Sequence, residues 1–214
     1  MASRTIETFN PATGLPRAVF PLLDDAALEQ RLETAYAATN QARQTALSDR
    51  LSWLENAARL LRERRPMLAA IMTDEMGKPL AAAEGEIEKC AWVCEFYAQN
   101  AESFLQDQTV STSAGRSFVR PLSLGVILAV MPWNFPFWQV FRFAAPALAA
   151  GNVVLLKHAP NTFESASWPS NKEAAVTNLS GTASRRDAVD VASLATTLMG
   201  TPRGLAGTTR DREV

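Results

Sequence analysis

The side chains best suited to chemistry in this chain are Asn134, in the run Met131-Pro132-Trp133-Asn134-Phe135-Pro136, and Lys157, which closes Val153-Val154-Leu155-Leu156. An asparagine amide is a ready hydrogen-bond donor, and a lysine ammonium suits ribose hydroxyls or a phosphate. An asparagine ahead of a helix also serves as its N-cap, so spacing alone leaves two roles open for Asn134. Cys90 and Cys94 have, by residue type, the reactivity of a nucleophile or a metal ligand. Their neighbours are apolar and aromatic, and the single histidine, His158, lies far along the chain. The expected role of both thiols is that of buried small hydrophobes. Two cysteines and one histidine, unclustered, offer no metal-ligating set.

Asn134 and Lys157 need elements to bring them together, and the surrounding pattern supplies them. Gly125 to Met131 is a short apolar run rich in β-branched and aliphatic residues, the pattern of a strand buried on both faces. Pro132-Trp133-Asn134 interrupts it, and Pro136 suits the first turn of a helix that runs to about Ala150. Gly151-Asn152 supplies a left-handed stop, and Val153 to Leu156 is a second buried strand ending on Lys157. Strand, helix and strand form a βαβ unit, hence a parallel sheet with a right-handed crossover. Ligands of such sheets bind outside the carboxyl ends of the strands, so Met131–Asn134 and Lys157–Asn161 face one crevice.

The motifs PWNFP, then PALAAGN, then a strand ending in lysine resemble the aldehyde dehydrogenase superfamily. LLKHAPN, with His158 after the lysine, resembles its succinate-semialdehyde-dehydrogenase-like branch. NPATG at Asn10–Gly14 and EMGKP at Glu75–Pro79, with Glu84 and Glu88 beyond, are similar to the family at those points too. In that family the asparagine of PWN donates its side-chain amide to the oxyanion of the thiohemiacetal intermediate, which makes Asn134 the implied catalytic residue. The backbone around Val130, Met131 and Pro132, the indole of Trp133 and the ammonium of Lys157 map onto positions lining the adenosine and ribose side of NAD or NADP. NAD-preferring relatives often carry Glu three residues after the lysine. Pro160 stands there in this chain, so no carboxylate repels a 2′-phosphate, and NADP is admitted alongside NAD.

Length and composition bound the remaining classes. The 214 residues give room for one or two domains and a sizeable core. Hydrophobic residues at 47% and charged residues at 20% are the balance of a soluble globular protein. A net charge of −1 leaves no electrostatic footprint for nucleic acid. Arg62-Glu63-Arg64-Arg65 reads as a solvated helix end that complements the helix dipole. The N-terminal MASRTIETFNPATG lacks the apolar core of a secretory signal, which makes a cytoplasmic setting the default. Between Pro121 and Lys157 the only charge is Arg142. Pro132, Asn134, Pro136, Pro146, Gly151 and Asn152 nevertheless cut that run into pieces shorter than the about 20 residues of a bilayer span, so no membrane partner is expected.

Elsewhere helical spacing dominates. Asn10 to Gly14 reads as a turn between two short extended segments. Asp24 and Asp25 cap a helix to about Ala46, with Ala27, Leu28, Leu32, Ala35, Tyr36 and Ala42 at helical spacing. A second helix begins at Ser48-Asp49 and carries Leu51, Leu54, Ala58 and Leu61, Pro66 restarts a third, and Gly77 ends it. The longest helix, roughly Leu80 to Gln106, places Ile87, Ala91, Cys94, Ala98, Ala101 and Leu105 on one face. Thr109 to Val119, turning at Ser113-Ala114-Gly115, reads as a hairpin. In the family this excursion, about residues 108–120, contributes to the sheet used in oligomerisation, which implies a homo-oligomer. After Asn161 the composition shifts: residues 162–214 hold 14 Ser or Thr, and their aromatics are confined to Phe163 and Trp168. Too few large apolar side chains remain to offset chain entropy, so most of this stretch is expected to be disordered, with one short helix over Ala188–Met199.

The expected fold is α/β, with N-terminal helices packed beside an incomplete Rossmann-like parallel sheet. Residues 1–161 form the N-terminal part of an NAD(P)-binding domain and residues 162–214 an atypical, poorly ordered tail. The resemblance implies NAD(P)-dependent oxidation of a short aldehyde or semialdehyde to the carboxylic acid. That chemistry needs a thiolate to attack the carbonyl, an oxyanion donor, a nicotinamide to take the hydride, and a general base to activate water. The oxyanion donor and part of a cofactor wall are matched here. The family's nucleophilic cysteine and general-base glutamate lie beyond the stretch that resembles it, about residues 5–161, and Cys90 and Cys94 precede the nucleotide unit. The chain thus reads as a truncated fragment, inactive on its own. The alternative is a non-catalytic remnant that docks on intact subunits through an uncovered sheet edge.

Overall fold

The computed structural model of the protein describes residues 5–167 and the backbone of Val189–Asp190. Strands β1 (Thr5–Phe9) and β2 (Pro16–Pro21) pair antiparallel. In the turn between them Asn10 Oδ1 accepts the N–H groups of Ala12 and Thr13 at 2.9 and 3.2 Å, an Asx turn that leaves Gly14 at φ +70°. Helix α1 (Asp25–Gln44) is capped by Asp24, whose carboxylate accepts the Ala27 N–H at 2.8 Å. Its buried line is Leu28, Ala35 and Thr39, while Leu32 is exposed and Tyr36 is 75% exposed. The predicted stripe holds at Leu28, Ala35 and Ala42, which face the sheet together with Ala38, and is corrected at Leu32 and Tyr36, which point away from it.

Helix α2 spans Leu47–Glu63 with Ala46 at its cap position, one residue earlier than the predicted Ser48-Asp49 start, and no side chain caps it. Helix α3 (Arg65–Met76) carries Pro66 in its first turn and ends at left-handed Gly77, φ +71°. Helix α4 (Leu80–Phe104) buries Ile87, Cys90, Ala91, Cys94, Ala98 and Ala101 against α2, α3 and a helix that follows. Both cysteines are fully buried, as the sequence pattern predicts. Strands β3 (Gln108–Thr109) and β4 (Phe118–Val119) make the expected hairpin.

The βαβ unit is β5 (Val126–Val130), α5 (Trp138–Ala149) and β6 (Val153–Lys157). The strands are parallel, with Val126 opposite Val153 and Val130 opposite Lys157. Val153 and Leu155 face Leu28 and Ala35 of α1, whereas Val154 and Leu156 enter the main core beneath α4 and α5. β6 is thus covered on both faces. β5 is not: Ala129 and Ile127 pack into the main core, but Val126, Leu128 and Val130 are exposed, Leu128 by 61% and Val130 by 60%. The expectation of a strand buried on both faces is corrected here. The face shared with Val153 and Leu155 is shielded by α1 only over β6, and β6 is the sole strand paired with β5 among the described residues.

Helix α6 (Phe163–Ser167) follows. Phe163 is fully buried and stacks on Phe20 with ring centroids 4.7 Å apart, so ordered packing continues past Asn161. Strand β7 (Val189–Asp190) pairs antiparallel with Leu155 and Leu156, where the sequence predicts the start of a helix. The rest of the expected disordered tail lies outside the described residues.

Candidate functional site at the carboxyl end of the sheet

The parallel ladder ends where the Met131 N–H donates to the Lys157 carbonyl at 2.8 Å. That bond sets Met131 beside Lys157, and the strand register puts Val130 and Lys157 side by side on one face. Beyond it Pro132, Trp133, Asn134 and Phe135 form an exposed turn before α5. The sequence-predicted residues Val130, Met131, Pro132, Trp133, Asn134 and Lys157 are therefore gathered on one edge of the sheet. Lys157 is half-buried; Asn134 is exposed, and no described side chain bonds its amide.

Three side chains to which the sequence assigns no part in this site, Glu86, His158 and Asn152, fix the turn and the unit around it. Glu86 of α4, only 5% exposed, accepts the N–H groups of both Phe137 and Trp138 on Oε1, each at 2.9 Å. It thereby caps α5 from another helix. The capping role left open for Asn134 is taken by Glu86, and α5 starts at Trp138, after Pro136 and not around it. The other oxygen of Glu86 pairs with the ammonium of Lys78, which also donates to the Asn134 backbone carbonyl at 3.4 Å and sits 3.9 Å from the centroid of the Phe135 ring.

His158 is the second anchor. Its Nε2 lies 2.9 Å from the Pro136 carbonyl, and its Nδ1 accepts the Ala159 N–H at 2.8 Å. A carbonyl only accepts, so the ring is neutral with its proton on Nε2. Thr162 Oγ1, 2.8 Å from Nδ1, donates as well. Burial pushes the imidazole down to about 4. Asn152 is the third: its Oδ1 accepts the N–H groups of Leu124 and Gly125 at 2.7 and 3.2 Å, and its Nδ2 donates to the Ala147 carbonyl at 3.1 Å. This clamps the start of β5 to the end of α5. Gly151, at φ +78°, is the left-handed C′ residue that ends α5, and the Asn152 N–H closes onto the Ala147 carbonyl at 3.0 Å.

A parallel carboxylate device sits next to this edge. Glu75, also buried, accepts the N–H groups of Glu164 and Ser165 at 2.5 and 2.9 Å and the Ser165 hydroxyl at 2.6 Å, so it caps α6. Burial pushes its carboxyl up to about 7, against these three donors. Arg17 bridges Asp74 at 2.8 Å and Glu164 at 2.6 Å, tying β2 to α3 and α6. The signal for Glu75 and Glu86 in sequence is their place on otherwise buried helix faces, where an unpaired carboxylate is costly and a partner must exist.

A parallel pair joined by a helix, with an exposed asparagine-bearing turn at its carboxyl edge, has the geometry of the edge at which open α/β sheets bind ligands. The chain matches the Aldehyde dehydrogenase family over residues 1–168, and it belongs to that family. It is 52% identical over 156 residues to a protein of Synechocystis named “Probable succinate-semialdehyde dehydrogenase (NADP+)”, covering 73% of this chain and 34% of the relative. A succinate-semialdehyde dehydrogenase (NADP+) of Mycobacterium avium is 46% identical over 165 residues, 75% of this chain and 35% of its own length. The crystal structure of succinic semialdehyde dehydrogenase from Streptococcus pyogenes with NADP+ superposes with a TM-score of 0.75 at 34% identity, covering 83% of this chain and 41% of that one. The chain spans about a third of the length of the curated relatives it matches. Among the described residues no helix is long and apolar enough to cross a membrane.

Proposed function

We propose that this chain supplies the cofactor wall and the oxyanion donor for NADP-linked, or NAD-linked, oxidation of a short aldehyde such as succinate semialdehyde. The observation that carries the reading is the division of labour at the turn. Glu86 and His158 satisfy the backbone around Asn134, and the Asn134 amide stays exposed at the carboxyl edge. A pre-set amide donor at that edge stabilises negative charge developing on a substrate carbonyl oxygen. Half-buried Lys157, with the exposed Val130 and Trp133 and the backbone of Met131 and Pro132, suits a nucleotide: an ammonium for ribose hydroxyls or phosphate beside flat apolar surface. When bound, the nicotinamide supplies the hydride acceptor. Pro160 in place of a carboxylate leaves room for a 2′-phosphate, in keeping with the NADP in the relatives' names.

The attacking thiolate is not one of this chain's two cysteines. Cys90 and Cys94 are fully buried in α4, and burial pushes Cys94 up to about 12. The chain by itself therefore binds NADP+ without turning over. The test is fluorescence titration of the purified chain with NADP+ and NAD+, beside an absorbance assay with succinate semialdehyde. Saturable quenching that Lys157→Ala and Trp133→Ala weaken, with no rate above buffer, is expected. Turnover by the chain alone refutes the inactivity, and absence of saturable binding refutes the cofactor wall.

The exposed row Val126, Leu128 and Val130 favours a second reading, a non-catalytic chain that docks on intact family subunits. Sedimentation of the chain alone as a folded monomer, unchanged on mixing with an intact dehydrogenase, removes it.

A further inference from the structure

We infer that Lys78 and Glu86 are positioning residues that hold the Asn134 turn in one conformation, an inference that rests on the oxyanion-donor reading of Asn134. The geometry is a grip on both ends of one five-residue segment, Asn134 to Trp138. At the far end, Glu86 Oε1 takes the N–H groups of Phe137 and Trp138, each at 2.9 Å. At the near end, the Lys78 ammonium reaches the Asn134 carbonyl at 3.4 Å and lies 3.9 Å from the centroid of the Phe135 ring. The two grips are one device, because the other carboxylate oxygen of Glu86 pairs with that same ammonium. His158 holds the middle through the Pro136 carbonyl at 2.9 Å.

Lys78 is itself set in place. It follows left-handed Gly77 at the end of α3, and its carbonyl lies 2.8 Å from Thr73 Oγ1. Its side chain is 9% exposed and that of Glu86 is 2%, so the pair is largely screened from water. A cation is required at this position because the group bonds a carboxylate and a carbonyl while facing an aromatic ring, and only a cation favours all three. A preorganised donor needs such support, since an amide that wanders by an ångström stabilises an oxyanion poorly.

The test uses the full chain labelled with 15N and 13C, with the backbone amides of Asn134 and Phe135 assigned sequentially. In Lys78→Met, the backbone order parameter at Asn134 and Phe135 falls from the rigid value near 0.85 to below about 0.6, while the α2 and α3 amides keep theirs. Lys78→Arg restores rigidity at both positions. A folded Lys78→Met whose Asn134 remains as ordered as in the unaltered chain overturns the inference and leaves Lys78 a stability role only. Should Lys78→Met not fold, Glu86→Gln is read in the same way: it keeps an acceptor for the two N–H groups and sets an amide against the ammonium. NADP+ titration of the same samples separates the two claims. Loss of order at Asn134 without any NADP+ binding removes the cofactor reading and leaves the positioning intact; binding with undisturbed order at Asn134 removes the positioning alone.

Discussion

Replacing Glu86 by alanine tests the turn's support most directly, because one carboxylate serves three donors. Its loss leaves the Lys78 ammonium, on a side chain 9% exposed, without its counter-charge, and orphans the N–H groups of Phe137 and Trp138. Breaking a buried pair by removing one partner costs about 3–5 kcal/mol. The two orphaned donors do not add in full, since a helix N-terminus opened at Trp138 readmits water to them. The expected cost of Glu86→Ala is therefore about 4 kcal/mol. With a urea dependence of about 2 kcal/mol per molar, the unfolding midpoint followed by circular dichroism falls by about 2 M. Glu86→Gln keeps the acceptor for both N–H groups and should cost about 2 kcal/mol, the price of an amide facing the ammonium. Lys78→Met combined with Glu86→Gln should cost less than the sum of the two single changes by more than about 1 kcal/mol, because each removes the same pairing. A Glu86→Ala midpoint shift below about 0.5 M, or strict additivity in the cycle, refutes the account.

Other consequences follow from burial. His158 is pushed down to about 4 and favours folding when neutral, so its contribution is complete above the ordinary value of 6.5 and is lost as pH falls toward 4. Glu75 is pushed up to about 7, so its contribution is complete below its ordinary 4.5 and is lost as pH rises toward 7. Each is worth about 3 kcal/mol over its window, and between 4.5 and 6.5 the slopes oppose. Urea midpoints across pH should be nearly flat there for the unaltered chain, fall with rising pH in His158→Gln, and fall with falling pH in Glu75→Gln; identical flat profiles in all three would falsify the assignment. Gly151→Ala should cost about 2 kcal/mol, since φ is +78° and a Cβ would stand 2.4 Å from Arg50 Nη1; an unchanged melting temperature contradicts this. Cys90 and Cys94 should resist a thiol reagent in the native chain and react fully in urea, and labelling at the rate of free cysteine would place them at the surface.

The βαβ unit was legible because its signals are local: a short apolar run, a proline at the helix entry, a glycine at its exit, and a second apolar run closed by lysine. Three features were not. The exposed face of β5 escaped notice because the composition of Val126–Val130 is that of a buried strand, and composition does not tell whether a neighbour is present to bury it. The stripe on α1 was legible at Leu28, Ala35 and Ala42 but extended to Leu32 and Tyr36, because helical spacing alone does not fix the edge of the face that a sheet covers. Glu75 and Glu86 were hidden for a related reason. Their partners are backbone N–H groups 89 and 51 positions away, which no helical or strand period connects.

Two asparagines, Asn134 and Asn152, show why the site is read from partners and not from residue type. Both flank α5, and both are offered by sequence as caps. Asn152 is buried, and both ends of its amide are occupied, two N–H groups on the oxygen and one carbonyl on the nitrogen. Its oxygen is fully used within the fold, and its removal would orphan the N–H groups of Leu124 and Gly125. Asn134 contributes only its backbone carbonyl to the fold, through Lys78, while the cap that it could have formed is made by Glu86. A buried glutamate from a different helix performs the task the adjacent asparagine could perform, which leaves the Asn134 amide exposed at the turn. At the carboxyl edge of a parallel pair, an exposed amide is what the proposed oxyanion-donor role requires.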